Sequence, residues 1–393
     1  MNEISTGKRL LGVTPTVLAL SIVSLLMDTS SEMLVPIMPL FITGVLGAPV
    51  SLLGLIEGLA ESTASLLKIV SGRISDRGAR KPWILAGYGL ATFSRPLMAL
   101  AQVWPVLLVA RLIDRTGKGF RGAPRDAMIA ASTPKAELGR AFGVHRSMDT
   151  LGAALGPLIA FFLLPSVGIR GLFWVALIPA VLCVFTILAF VRESRAEVLA
   201  RQELPRVPFP RDPRLIGFLL AVGVFAIGNS SDAFLFLRAR DLGVDVKTIP
   251  LVYVAFNLVY ALMSVPAGIL ADRYGRDKLA KVGLIVFALV YAGFGAASST
   301  WHVWALFMAY GVFMAFTEGV WKAYLGELAP TNARGTVFGA FNALLGVTAL
   351  PASLIAGLLW DHSGHSAPFF FGAGMGLLGF VILIFAVRST ARA

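Results

Sequence analysis

The chain has 393 residues, of which 57% are hydrophobic and 14% carry a charge. Soluble proteins contain about 25% charged residues, so this composition excludes an ordinary water-soluble domain and indicates an integral membrane protein. The net charge is +12, and because the basic residues lie between apolar runs, we attribute the excess to the positive-inside rule rather than to nucleic-acid binding.

Twelve apolar runs have the length of a membrane-spanning helix, which is about 20 residues. The fourth and tenth depend partly on the repeat pattern, because charged residues interrupt them. In chain order, spans 1 to 12 are predicted at residues 17–43, 50–72, 82–101, 103–127, 142–165, 171–191, 215–237, 248–270, 279–299, 302–327, 336–360 and 368–387.

The loops between spans are short, with one exception at residues 192–214. This segment is rich in arginine, glutamate and proline, and we interpret it as a solvated cytoplasmic linker that could also contain an amphipathic surface helix. The predicted domains are therefore an N-terminal six-helix bundle over 1–191 and a C-terminal six-helix bundle over 215–393. Most basic residues fall on one side, so we expect both termini in the cytoplasm; the exceptions are Arg170, Arg238, Arg240 and Lys247.

A turn motif of the form G-x-x-x-D-R occurs twice, after spans 2 and 8. The first copy contains Gly72, Asp76, Arg77 and Arg80, and the second contains Gly268, Asp272 and Arg273. The segment Asp28–Glu32 of span 1 also matches Gly228–Asp232 of span 7. Repeats in the same order predict an all-α membrane protein whose twelve transmembrane helices form two pseudo-symmetric six-helix bundles, an arrangement typical of transporters.

With these motifs, the chain resembles the major facilitator superfamily over nearly its whole length. The first turn copy matches the family pattern G-x-x-x-D-R/K-x-G-R-R/K except at Ala79, and Arg111 matches the start of the antiporter motif in span 4. The span 5 antiporter signature is matched in part, by Gly152, Gly156 and Pro157. The resemblance implies a central cavity lined by spans 1, 4, 7 and 10, gating roles for the turn motifs and the span 5 residues, and export by antiport.

Four acids and an arginine are predicted near the middle of the membrane, by counting about 1.5 Å per residue through a core about 30 Å thick. Burial favours a neutral carboxyl group, whereas a nearby arginine favours the charged form. The group could couple transport to protons or could be a permanently paired structural network. It comprises Asp28, Glu32, Glu57, Glu61 and Arg111.

Further polar residues are candidates for the substrate cavity. In span 4, Asp114, Arg115 and Lys118 belong to a long charged face that is either a path for an anionic substrate or an internal ion-pair network. In the second half, Glu318 and Lys322 have the spacing of a local ion pair. The other candidates of that half are Asn229, Asp232, Tyr253, Asn257, Trp321 and Asn342.

The sequence contains no phosphate-binding loop, nucleophile elbow or zinc-ligand cluster. We therefore expect no enzyme activity, no cofactor and no metal, with a proton gradient as the driving force. The predicted function is proton-coupled efflux of a small organic solute by alternating access. The alternatives are an importer or facilitator of an organic anion, a non-transporting sensor and a membrane-embedded enzyme. We expect a monomer that is integral to the plasma membrane, which would be a bacterial inner membrane. Its expected partners are a small-molecule substrate and the lipid bilayer, and we expect no nucleic acid.

Overall fold

The computed structural model describes residues 12–77, 79–134, 137–193, 209–330 and 333–389. The side chains of 72–77, 139, 334–335 and 387–389 are outside the described set, as is most of the predicted linker. All regular structure in the described residues is helical. The helices are α1 (Pro15–Glu32), α2 (Val50–Arg77), α3 (Lys81–Leu100), α4 (Trp104–Ala131), α5 (Leu138–Phe190), α6 (Pro213–Gly228), α7 (Ala233–Asp241), α8 (Ile249–Tyr274), α9 (Arg276–Ala296), α10 (Thr300–Leu328), α11 (Arg334–Ser363) and α12 (Ala367–Ser389).

Each predicted span is helical over most of its length in the structure, and proline explains several of the starting points. Proline occupies the first turn of α1, α3, α4, α6 and α8, where its missing N–H is not needed. Among the described residues, eight helical segments are long and apolar enough to cross a membrane; α1, α3 and α4 fall below that limit. The prediction of helices is confirmed, while the arrangement of twelve spans in two bundles stays a prediction.

Two predicted spans are interrupted helices. Span 1 consists of α1 followed by a short helix, Met38–Leu40, and π-helical turns at Phe41–Val45. Span 7 consists of α6 and α7, with the irregular segment 229–232 between them. The hydrophobic pattern did not predict either interruption, because an apolar run keeps the same composition when its backbone leaves the helix.

Predicted spans 5 and 6 are the two limbs of α5, which breaks at Gly168 with φ 69° and ψ 176°, a conformation open essentially only to glycine. A straight helix would separate Gly156 from Ala176 by about 30 Å. Instead, both limbs contact the same turn of α1. An added Cβ on Gly156 would lie 2.6 Å from the Thr29 carbonyl oxygen, and the Ser30 hydroxyl donates to the Ala176 carbonyl at 2.7 Å. Gly168 therefore folds α5 back on itself.

The structure divides into two compact units. The first contains the described residues of Met1–Val35 and Leu67–Leu204, and the second contains those of Pro36–Leu66 and Pro205–Ala393. The first part of α2 thus belongs to the second unit, where it packs against α11. A Cβ on Gly54 would collide with the Ser353 carbonyl, and the Ser62 hydroxyl donates to the Gly346 carbonyl at 2.6 Å.

Two of the basic residues that depart from the positive-inside pattern bind the C-terminal ends of helices. Arg170 Nη1 donates to the Ala101 carbonyl at 2.7 Å, just beyond α3. Arg238 donates to the carbonyls of Phe294 at 3.1 Å and Ala297 at 3.0 Å, at the end of α9. The last carbonyls of a helix lack partners within the helix and carry negative partial charge, so both arginines stabilise helix ends.

Candidate functional site

In the first unit, α1 and the first limb of α5 approach closely beside Asp28. An added Cβ on Gly152 would lie 2.9 Å from the Asp28 Cβ, and one on Gly156 would lie 2.6 Å from the Thr29 carbonyl oxygen. The backbone contact at Gly156 cannot be relieved by rotating a side chain. These two glycines therefore set the distance between the helices. Pro157 follows Gly156 inside α5. Their predicted role in gating stays a prediction.

Asp28 belongs to a group of charged side chains. Its charged neighbours are Asp149 of α5, Glu32 of α1, and Arg121 and Arg125 of α4. Asp28, Glu32 and Asp149 are each only partly buried. Three carboxyl groups therefore lie beside two guanidinium groups.

His145 lies next to this group, one turn before Asp149 on α5. Its side chain is 4% exposed, and its Nε2 is 3.7 Å from Asp149 Oδ2. Neither ring nitrogen makes a hydrogen bond with any other described group. The separation is too long for a hydrogen bond.

The Arg95 guanidinium group of α3 is buried and makes several hydrogen bonds. It is 1% exposed, and it donates to Asp114 Oδ1 at 3.1 Å, to the Ser30 hydroxyl at 3.1 Å and to the Ser31 hydroxyl at 2.8 Å. One guanidinium group thereby connects α3 with α1 and α4. Arg95 was not among the predicted site residues.

The Asp114 carboxylate faces two more arginines of α4. Arg111 Nη1 is 3.7 Å from Asp114 Oδ2, and Arg115 Nε is 4.0 Å from the same oxygen. Lys118 is half-buried one turn further along. One carboxylate among three guanidinium groups fits the ion-pair interpretation of this helix, and it also leaves the region strongly basic.

The other two predicted proton-coupling acids lie on α2. Glu57 is 7% exposed, and Glu61 is half-buried one turn later. Both belong to the part of α2 that packs with the second unit, whereas Asp28, Glu32 and Arg111 belong to the first.

In the second unit, tyrosines bind the polar groups of the irregular segment between α6 and α7. The Tyr310 hydroxyl donates to Asp232 Oδ1 at 2.7 Å, and the Tyr291 hydroxyl donates to Asn229 Oδ1 at 3.4 Å. Asn229 and Asp232 were both predicted as cavity residues, and the structure brings them onto one short stretch between two helices.

Several aromatic side chains of the second unit pack against one another. Trp321 is 5% exposed, and its ring meets those of Phe225 and Phe218 edge-on at 5.0 and 6.2 Å. Its Nε1 makes no hydrogen bond with the groups that the structure describes. Tyr253 stacks on Phe256 at 5.5 Å. The two predicted aromatic residues therefore belong to packed clusters.

The remaining candidates of the second unit make local bonds. Lys322 Nζ is 3.1 Å from Glu318 Oε1, which confirms the predicted ion pair, and the Tyr260 hydroxyl donates to Glu318 Oε2 at 2.5 Å. Asn257 and Asn342 each donate to the carbonyl four residues earlier, at 3.1 and 2.9 Å.

Of the first turn motif, the structure describes the side chain of Arg80. Its Nη1 donates to the Ala127 carbonyl near the end of α4 at 2.8 Å. The predictions for the side chains of Asp76 and Arg77, and for Gly72, lie outside the residues whose side chains are described. The Glu193 carboxylate accepts from the Arg80 backbone N–H at 2.8 Å, at the start of α3.

The second turn motif repeats the arginine contact. Arg276 Nη1 donates to the Ala323 carbonyl near the end of α10 at 3.4 Å, and its Nη2 is 3.1 Å from Asp272 Oδ1. In both copies the carbonyl lies 47 residues after the arginine. Gly268 has open space around its Cα, and Arg273 lies over the neighbouring tyrosine ring at 5.4 Å. The internal repeat thus extends to individual hydrogen bonds.

The sequence marks Arg95 as unusual, but it does not identify the groups that Arg95 binds. It is the only charged residue in the apolar run of span 3, and a lone charge inside a membrane helix is normally paired or functional. Its partners lie 19, 64 and 65 positions away, so spacing could not identify them.

Comparison with known proteins gives a consistent result. The family model of the Major Facilitator Superfamily matches residues 20–239 and 215–393. An uncharacterized MFS-type transporter of Methanocaldococcus jannaschii is 35% identical, covering 98% of this chain and 95% of that protein. The multidrug resistance protein MdtG of Enterobacter lignolyticus is 26% identical, covering 91% and 89%.

Solved transporters share the fold at low identity. The nucleoside transporter NupG superposes with a TM-score of 0.77 at 13% identity, covering 95% of this chain and 99% of that one. The human organic anion transporter MFSD10 gives a TM-score of 0.66 at 18% identity, covering 94% and 99%.

Proposed function

This chain belongs to the major facilitator superfamily and is a membrane transporter rather than an enzyme, and we propose that it exports a small organic solute in exchange for protons. Transport would proceed by alternating access. The observation that carries the proposal is the group of acids and arginines around Asp28 in the first unit. We further propose that it resides in a bacterial inner membrane with both termini in the cytoplasm.

Proton coupling requires an acid that is protonated in one conformation and ionised in another. Neighbouring carboxylates favour the neutral form of Asp28, and nearby guanidinium groups favour its charged form. The neighbouring carboxylates are those of Asp149 and Glu32, and the nearby guanidinium groups are those of Arg121 and Arg125. A small change in the distance between α1, α4 and α5 would shift the balance, so the helix movements of a transport cycle can take up or release a proton.

The export direction is supported by sequence and by similarity. Span 5 contains Gly152, Gly156 and Pro157 in the order of the family's antiporter signature, and the glycines provide the contact between α1 and α5. Relatives named as multidrug resistance proteins are similar over most of the chain.

A second candidate function, transport of an organic anion, is favoured by the basic region around Asp114. Three guanidinium groups lie within 4.0 Å of this one carboxylate. A structural neighbour is named as an organic anion transporter. On this proposal the direction could be inward, and the basic groups of α4 would attract the substrate.

Flux measurements in liposomes that contain only this protein test both candidates. Ethidium serves as a cationic aromatic probe and fluorescein as an anionic one, each followed with and without an imposed pH gradient. The proposal expects gradient-driven accumulation of ethidium in wild type, at least tenfold lower in Asp28→Asn and Glu32→Gln. Exchange of ethidium at equal pH should persist in these variants.

Asp245→Asn is the matched control, because this exposed aspartate lies in a loop and caps a neighbouring backbone N–H. It should retain the wild-type rate. If the Asp28→Asn/Glu32→Gln double variant still accumulates ethidium on the gradient, coupling does not use these acids. Gradient-independent uptake of fluorescein, lowered by Arg115→Gln, would favour the anion candidate.

A further inference from the structure

We propose that His145 and Asp149 form a proton relay between Asp28 and the membrane face at which α5 begins. The inference rests on the proposed proton coupling and adds the route by which the proton reaches the coupling acid. Neither residue was a predicted site residue.

The three titratable groups follow one another along two neighbouring helices. His145 and Asp149 are one turn apart on α5, with Nε2 3.7 Å from Oδ2. Asp28 faces α5 about one turn further along, where the Cβ position of Gly152 lies 2.9 Å from the Asp28 Cβ. One turn rises about 5.4 Å, so each step is short enough for one water molecule or a side-chain rotation.

The bonding of His145 and Asp149 is incomplete in a way that suits proton exchange. Both ring nitrogens of His145 and Oδ1 of Asp149 are buried, and they make no hydrogen bond with the described residues. Buried polar groups normally have partners, and a polar gap longer than 3.5 Å is one that water can bridge. By comparison, Arg95 and Asp114 approach to hydrogen-bond distance, at 3.1 Å.

Charges of both signs surround the relay. His145 is faced by guanidinium and carboxylate groups of α4 and α5, while Asp28 is also faced by groups of α1 and α3. The groups facing His145 are Arg125, Asp126, Arg146 and Asp149, and those facing Asp28 are Glu32, Tyr88, Arg121, Arg125 and Asp149.

For proton release, the O–H bond of Asp28 breaks as an O–H bond forms on the Asp149 carboxylate. Asp149 then loses its proton to Nε2 of neutral His145, which becomes an imidazolium. The imidazolium gives up one proton to water near Arg146, whose side chain is 61% exposed. Proton uptake reverses the sequence. No electrons are transferred; release leaves Asp28 as a carboxylate, and Asp149 and His145 return to their starting charges.

The test needs no substrate, because it measures how fast Asp28 gains a proton. Purified protein in lipid nanodiscs is subjected to a pH jump, and the carboxyl C=O stretch is followed by time-resolved infrared spectroscopy. The band that disappears in Asp28→Asn is assigned to Asp28. In His145→Gln and Asp149→Asn, we expect its rise to slow at least tenfold. A purely structural role would lower stability without changing this rate.

Imidazole added to His145→Gly should restore the rate, and His362→Gln, at an exposed histidine of α11, should leave it unchanged. An unchanged rate in His145→Gln, or no band that depends on Asp28, overturns the relay. The proposed function has a separate test: gradient-driven ethidium flux can fail in Asp28→Asn while His145→Gln transports normally. That result would refute the relay and leave proton coupling by Asp28 intact.

Discussion

The two units place different chemical groups at equivalent interior positions. Registering the two turn motifs places Tyr291 and Tyr310 at the positions of Arg95 and Asp114. In the first unit these positions form an ion pair at 3.1 Å, and in the second they hold two phenol rings with centroids 6.4 Å apart. Each pair also bonds to the first predicted span of its half. Arg95 bonds to serines of α1, and the tyrosines bond to the segment after α6.

The comparison shows that an internal repeat can preserve helix positions and contacts while the interior changes from ionic to aromatic. The ionic unit contains the acids that we propose for proton coupling. The aromatic unit holds packed rings at the equivalent positions. Variants that remove one group at a time from each unit can measure how much the ionic and the aromatic interior each contribute to stability and binding.

The largest effect is expected from Arg95→Met. Removing a buried guanidinium group leaves the Asp114 carboxylate without its shortest ion pair, and breaking one side of a buried pair costs about 3–5 kcal/mol. The free energy of unfolding, measured by SDS titration in mixed micelles, should fall by that amount. Arg95→Met/Asp114→Asn should recover part of the loss, because the second change removes the uncompensated charge. A loss below about 1 kcal/mol would show that the ionic interior is not needed for stability.

An intermediate effect is expected from Gly156→Ala, which tests the approach of α1 to α5 in the ionic unit. The added methyl group would lie 2.6 Å from a backbone oxygen of α1, and overpacking of this kind costs about 1–3 kcal/mol. Gly143→Ala on the same limb, with nothing within 4 Å, should be neutral or slightly stabilising. Equal melting temperatures for the two variants would contradict the close packing.

The smallest effect is expected from Tyr310→Phe in the aromatic unit. The ring and its packing remain, and the change removes one hydrogen bond to Asp232, so the stability loss should be about 1 kcal/mol. The affinity for ethidium, from equilibrium binding, should change more than the stability if Asp232 contacts the solute. Tyr291→Phe is the matched control, because its longer bond at 3.4 Å should matter less.

The sequence predicted the helices well because hydropathy reports burial in lipid, which is a property of whole runs. It predicted the Glu318–Lys322 pair because four residues make one helical turn. It did not predict the partners of Arg95 or the breaks near residues 33–37 and 229–232. Partner choice depends on which faces of distant helices meet, and a broken helix retains the same apolar composition.

The break at Gly168 has a consequence for the order of assembly. Because a single residue connects the two limbs of α5, the entropic cost of bringing them together is very small. They can therefore pair as soon as both have been synthesised. Helix α1 is made first, yet its contacts with these limbs span more than a hundred residues, as in the Ser30 bond to Ala176. Contacts of high sequence separation form late. We therefore expect α1, and with it Asp28, to dock onto a preformed hairpin, so the proposed proton site would be completed last.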